Sequence, residues 1–324
     1  MQVLRVIAFT LRGAIALVVV AATLLLRFEL PPEPSLSAEP AREALPWRGL
    51  SRPYLVYVPA GLAPGAPLVL VFHGSEGDAR QARAGFGYEW DRLADEHGFV
   101  VAYPEGYEGH WNDCRAAAPY AANRLDVDDV GMTRALVARL AERHGVYSAR
   151  VFATGISNGG QMALRLALEA PDLVRAVAPV IASLPAEENL DCTPSGRPVS
   201  VLVMNGTEDP MNPYEGVVVA LHGLIGNRGE VDSTEETVAY FAELAGHEGP
   251  GVHAALPDRA PGDGTTIERT RWSAPGRPAV ALIAVRGGGH TVPHPKARFP
   301  RLLGRTSGDV VAAEEIWSFF GTAP

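Results

Sequence analysis

Short, uninterrupted apolar runs separated by longer stretches of helical spacing constrain this 324-residue chain more than any other feature. "LVLVF" (Leu68 to Phe72), "FVVAY" (Phe99 to Tyr103), "RVFAT" (Arg150 to Thr154), "VSVLVM" (Val199 to Met204) and "AVALIAV" (Ala279 to Val285) are too short for helices and do not alternate polar with apolar. A strand reads this way when both faces of its sheet are covered, as in a parallel sheet. Between them, helical patterns run from about Gly87 to His97, Asp126 to Gly145, Asn158 to Ala170, Ser233 to Leu244 and Gly308 to Phe320. The pattern from Asp126 opens on carboxylates, which the helix dipole favours, and stops at a glycine. This alternation predicts an α/β fold with one open, mostly parallel central sheet and helices on both faces. "RPYLVYVP", Arg52 to Pro59, alternates and precedes every helix, which predicts an edge strand. Ligands in such sheets gather at loops leaving the carboxyl ends of strands.

The chain is 47% hydrophobic and 20% charged, enough to build one domain from 47 to 324. Its net charge of −9, with no run of Lys and Arg, argues against nucleic acid as a partner. Before this domain, Arg5 and Arg12 flank an apolar stretch that continues as "GAIALVVVAATLLL", Gly13 to Leu26. Residues 1–26 read as a signal peptide or an uncleaved signal anchor, and either predicts export, with membrane contact only through this segment. Residues 27–46, rich in Pro, Glu and Ser, predict an exposed linker. Cys114 and Cys192 are the only cysteines. An exported chain can pair them, and the sequence leaves open whether it does.

"ATGISNGGQM", Ala153 to Met162, has the form G-x-S-x-G between a strand and a helix. A sharp strand-to-helix turn leaves no room for side chains beside the serine and lifts its hydroxyl towards the positive end of the helix. Ser157 is therefore the candidate nucleophile; the plainer alternative is a helix N-cap. A serine hydroxyl requires a base, and the base an orienting acid. His290, in the glycine loop after "AVALIAV", is the candidate base, with His294 as a fallback. Asp209, in the loop after "VSVLVM", is the candidate acid; Glu208 competes, and a turn-forming Asp before Pro210 is the plainer reading. An oxyanion hole would draw on the N–H of Asn158 and on the backbone of Ser75 in "FHGSEGD". His73 reads as a packing residue rather than a second base. No histidine or cysteine spacing suggests a metal, and no cofactor is expected.

"FHGSEGDA", "ATGISNGGQMA", "NGTEDPMNPY" and "GGGHTVPHP", with "WND" at Trp111 to Asp113 and "DVDDVGMTRALV", resemble the polyhydroxybutyrate depolymerase-like and feruloyl esterase-like branch of the α/β-hydrolases. The resemblance spans nearly all of the chain after residue 46. It implies an α/β-hydrolase fold with Ser157, Asp209 and His290 as nucleophile, acid and base, and oxyanion donors at Ser75 and Asn158. Two departures stand out. Val292-Pro293-His294 occupies the place of a frequent Trp-Pro-Gly, and Ser75 that of a frequent cysteine. Trp111 and Tyr107 are candidates to line the substrate site, although aromatics packing a long loop are at least as plain a reading. Asp128 and Asp129 read as helix-start carboxylates.

These readings predict an exported serine esterase acting on a small-molecule or polymeric ester. Hydroxyalkanoate oligomers, feruloyl esters and short-chain esters all fit. An acyltransferase on the same fold, or a surface-binding domain without turnover, are the alternatives.

Overall fold

The computed structural model describes residues 25–323, so nearly all of the apolar segment 1–26 lies outside the described residues. In chain order the elements are β1 (Ala41–Trp47), β2 (Leu50–Tyr57), β3 (Leu68–Phe72), α1 (Ala79–Gly85), α2 (Glu89–His97), β4 (Val100–Pro104), α3 (Asp129–His144), β5 (Val151–Ile156), α4 (Asn158–Glu169), β6 (Ala176–Val180), β7 (Ser200–Gly206), α5 (Thr234–Leu244), β8 (Val252–Ala255), β9 (Thr266–Trp272), β10 (Val280–Arg286) and α6 (Ala312–Phe320). These ten strands form one sheet, ordered β1-β2-β4-β3-β5-β6-β7-β10-β9-β8, and two further short strands, Val217–Val218 and Glu230–Val231, pair separately. Its centre, from β4 to β10, is parallel, and the strands outside it pair antiparallel.

Successive residues of the central strands face opposite cores. Val151 and Ala153 of β5 join the side holding Met132 and Leu136 of α3, Met162 and Leu166 of α4, and Phe241 of α5. Phe152 joins the other side, with Ala82 of α1, Trp90 of α2 and Phe320 of α6. Burial on both faces is the reason these runs are continuously apolar.

The sequence reading is corrected in three places. Residues 27–46 are largely exposed, as expected, but are docked on the domain rather than a free linker. Glu29 exchanges two backbone hydrogen bonds with Arg298, each 2.8 Å, Phe28 packs on Phe299, and Ser37 N donates to Asp95 at 2.8 Å. Extended, proline-rich backbone that composition assigns to solvent is here pinned by specific pairing, and from Ala41 it becomes a strand. The edge is therefore β1 rather than β2, joined by a tight turn at Arg48 and Gly49, both at positive φ (47° and 81°), as a two-residue hairpin requires. The helix expected from Gly87 to His97 is α2, which begins at Glu89 and is preceded by a helix the sequence reading lacks, α1; the one from Asp126 begins at Asp129, capped by Asp128, whose Oδ1 accepts from Gly131 N at 2.8 Å.

Candidate active site

Because β3, β5, β6, β7 and β10 run parallel and adjacent, the loops after them open on one edge of the sheet. Ser75, Ser157, Asp209 and His290 all lie in those loops. Ser157 follows β5 directly, at φ 55° and ψ −116°, a conformation that non-glycine residues adopt at a cost. Its backbone is tied on both sides: N–H donates to Val180 O at 2.9 Å, and its carbonyl accepts from Gln161 N at 2.8 Å. The flanking glycines answer to close approach. A methyl group on Gly159 would collide with the carbonyl oxygens of Phe72 and His73, and one on Gly155 with the backbone of Gly159. The half-buried hydroxyl has no hydrogen-bond partner among the described residues, His290 included.

Asp209 meets His290 directly: Nδ1 of the imidazole lies 2.7 Å from Oδ2, and both side chains are nearly fully buried. The other oxygen of Asp209 accepts the backbone N–H groups of Met211 (2.7 Å) and Asn212 (2.8 Å). The turn-forming aspartate and the partner of the histidine are thus the same residue, one oxygen for each task. Glu208 is exposed and pairs with Arg305. The two loops cross at Gly206, where any side chain would meet the carbonyls of Gly288 and Gly289, and Glu208 N donates to Gly288 O at 2.8 Å.

His294, the fallback base, faces elsewhere. Its Nε2 lies 3.3 Å from Glu89, and its Nδ1 accepts from Lys296 N and Ala297 N. His73 is a packing residue. Burial lowers its pKa to about 4; Gly106 N donates to its Nε2 at 2.9 Å, so Nδ1–H donates to Gly74 O at 2.7 Å.

Trp111 does not line the site. Its side chain has no exposed surface; it lies edge-on to Phe72, and its indole N–H donates to His73 O at 3.0 Å. A large apolar ring under a long loop packs the loop down. Tyr107 is half-buried, in a tight turn closed by His110 N donating to its carbonyl at 3.1 Å.

Sequence reasoning missed what holds the turn after the nucleophile. The Asn158 side chain accepts from Trp111 N at 2.9 Å and donates to the buried carboxylate of Asp113, which is paired with Arg115. The neighbouring Cys114 is disulfide-bonded to Cys192, with Cα atoms 5.0 Å apart. "WND" was visible as a motif, but its partner 45 residues away was not. Asp129 fastens the same loop, accepting from Asn112 N at 2.8 Å while paired with buried Arg52 at 2.6 Å.

The disulfide closes a sequence separation of 78 residues. Removing that constraint costs about 4 kcal/mol on chain-entropy grounds. Chemical denaturation of Cys114→Ser is expected to show that loss; a midpoint equal to that of the native protein would mean that the bridge constrains nothing.

Beside the Ser75 loop opens a cleft of about 810 Å³, lined by Gly74, Ser75, Ile156 and Tyr88 together with Phe28 and Leu30 of the docked N-terminal stretch. The residues 1–24 apart, no cluster of His, Cys, Asp or Glu among the described residues could hold a metal.

A parallel sheet covered on both faces, a strained serine between β5 and α4 and a His–Asp pair at the same edge define an α/β-hydrolase. Residues 52–185 match the family model described as "Esterase PHB depolymerase". The chain is 34% identical over 281 residues to the putative esterase NocK of Nocardia uniformis subsp. tsuyamanensis, covering 84% of this chain and 79% of that protein. It is 30% identical over 132 residues to poly(3-hydroxyalkanoate) depolymerase C of Paucimonas lemoignei, 38% of this chain and 30% of that one. Feruloyl esterase B of Piromyces equi is 30% identical over 170 residues, 51% of this chain and 30% of that protein. An acetyl xylan esterase from Aspergillus awamori shares the fold, with a TM-score of 0.54 and 19% identity over 83% of this chain and 94% of that one. The chain belongs to the polyhydroxybutyrate depolymerase-like and feruloyl esterase-like family of α/β-hydrolases, and is a carboxylic ester hydrolase.

Proposed function

We propose that this protein is an exported serine esterase that works through an acyl-enzyme. The observation that carries the reading is the 2.7 Å contact of Asp209 with Nδ1 of His290. That contact fixes the proton on Nδ1 and leaves Nε2 free to act as base. Ser157 attacks the ester carbonyl as His290 takes its proton. The N–H groups of Asn158 and Ser75 stabilise the oxyanion, and the imidazolium returns the proton to the departing alcohol. Water, activated by the same imidazole, then releases the acid. Asn158 is the first residue of α4, where backbone N–H groups have no partner in the preceding turn, and neither its N–H nor that of Ser75 is spent on a loop hydrogen bond.

Export is supported by the disulfide, which persists in oxidising compartments, and by the apolar segment ahead of Arg27. Small or oligomeric esters would enter along the Ser75 cleft, with Tyr107 at a neighbouring loop as a candidate contact. Feruloyl, hydroxyalkanoate and short-chain esters remain the substrate classes.

Three butyrate esters with different leaving alcohols, hydrolysed in water containing methanol, test the mechanism. A shared acyl-enzyme yields one ratio of butyric acid to methyl butyrate whatever the leaving group. Ratios that change with the leaving group would contradict it, and near-complete transfer to methanol would make the protein an acyltransferase.

A further inference from the structure

We propose that the Ser75 hydroxyl is itself a donor to the developing oxyanion, with its proton directed by a relay running from Arg228 through Tyr120. The proposal rests on the acyl-enzyme reading and adds a side-chain donor to its two backbone donors.

Proton order along the relay follows from what each group can do. Arg228 Nε can only donate, so at 2.6 Å from the Tyr120 hydroxyl it makes that oxygen an acceptor. Tyr120 keeps one proton of its own, and the oxygen of Ser75 lies 2.9 Å away. A phenol oxygen accepting from a guanidinium is polarised towards giving up its own proton, so Tyr120 donates to Ser75. The Arg115 and Arg228 guanidiniums each lie 5.8 Å from the Tyr120 ring centroid, and His110 stacks on the ring at 4.0 Å, which fixes its place. Tyr120 is almost completely buried.

The Ser75 oxygen is thus supplied, and its own proton has no acceptor among the described residues. Ser75 lines the cleft together with Gly74 and Ile156. A methyl group on Gly74 would stand 3.7 Å from Cβ of Ser157, so Ser75 is one residue from contact with the nucleophile. On the cleft side of a loop that passes this close to the nucleophile, the free hydroxyl proton is available to a carbonyl oxygen gaining charge there. Such a donor acts in the transition state more than in the bound ester, so its loss falls on kcat rather than KM.

Nitrophenyl ester kinetics of Ser75→Ala, Ser75→Thr, Tyr120→Phe and the double variant Ser75→Ala/Tyr120→Phe test this. Ser75→Ala is expected to lower kcat about 10²-fold, the effect of losing one oxyanion donor, with KM essentially unchanged. Ser75→Thr, which keeps a hydroxyl, recovers most of the rate. Tyr120→Phe loses part of it, and the double variant is no slower than Ser75→Ala, because the two groups act as one unit. A trifluoromethyl ketone, which forms a tetrahedral adduct, is weakened in parallel with kcat. Unchanged kcat in Ser75→Ala, a loss confined to KM, or additive losses in the double variant would each overturn the proposal. Fluorophosphonate labelling of Ser157 separates the two levels: a Ser75→Ala enzyme that labels and turns over normally removes this donor alone, whereas a native protein that does not label removes the acyl-enzyme reading beneath it.

Discussion

Ser157→Ala is expected to lower kcat/KM for ester hydrolysis on the order of 10⁶-fold, leaving only the residual rate that positioning and oxyanion donors provide. The substitution removes the one nucleophile on a turn that otherwise stays as it is. The backbone bonds from Ser157 N to Val180 O and from Gln161 N to Ser157 O involve no side chain. Alanine also tolerates the strained φ and ψ no worse than serine, so thermal unfolding should stay close to that of the native protein. Collapse of both activity and fold together would leave the chemistry of the hydroxyl undecided by this variant, and Ser157→Cys, which keeps a nucleophile in the same volume, then carries the test: slow turnover is expected from it.

Asp209→Asn should lower kcat about 10⁴-fold by a different route. An asparagine in the same pose keeps its carbonyl oxygen as acceptor for the N–H groups of Met211 and Asn212, so the turn survives. Its amide nitrogen then faces Nδ1 of His290, where Oδ2 now accepts. A donor there forces the imidazole to carry its proton on Nε2, and the base is lost while the fold is kept. Glu208→Ala is the matched control, since that side chain points to solvent and pairs with Arg305. Its activity should stay within about twofold, the effect of a surface charge away from the chemistry. A large loss in Glu208→Ala with little loss in Asp209→Asn would exchange the two assignments.

The central strands were legible because burial on both faces leaves no polar alternation, and each candidate loop could then be placed at the end of a strand. β6 escaped notice because Pro179 interrupts "AVAPV", and a proline argues against a central strand. β8 and β9 escaped because they lie at the open edge and keep much of their surface in solvent, so "TIERTRW" reads as polar. The docking of 27–46 escaped because composition reports solvation preference, not the specific pairing of Glu29 with Arg298 or of Ser37 with Asp95.

At the site, Ser157, Asp209 and His290 could be proposed from order and strand context alone. Glu208 stayed a competitor to Asp209 in that reading, because adjacent residues in a loop differ only in where the turn points them, and it is the partners, His290 for Asp209 and Arg305 for Glu208, that tell them apart. Tyr120 and Arg228 carried no signal at all. They are 108 residues apart, and a hydrogen bond between them is fixed by packing rather than by any local pattern.

The most direct measurement is fluorophosphonate labelling of the native protein followed by peptide mapping. One label per chain on Ser157, formed slowly or not at all in His290→Ala, is the predicted result. Ester hydrolysis that persists with Ser157 unlabelled, or a label on another serine that abolishes activity, would contradict it.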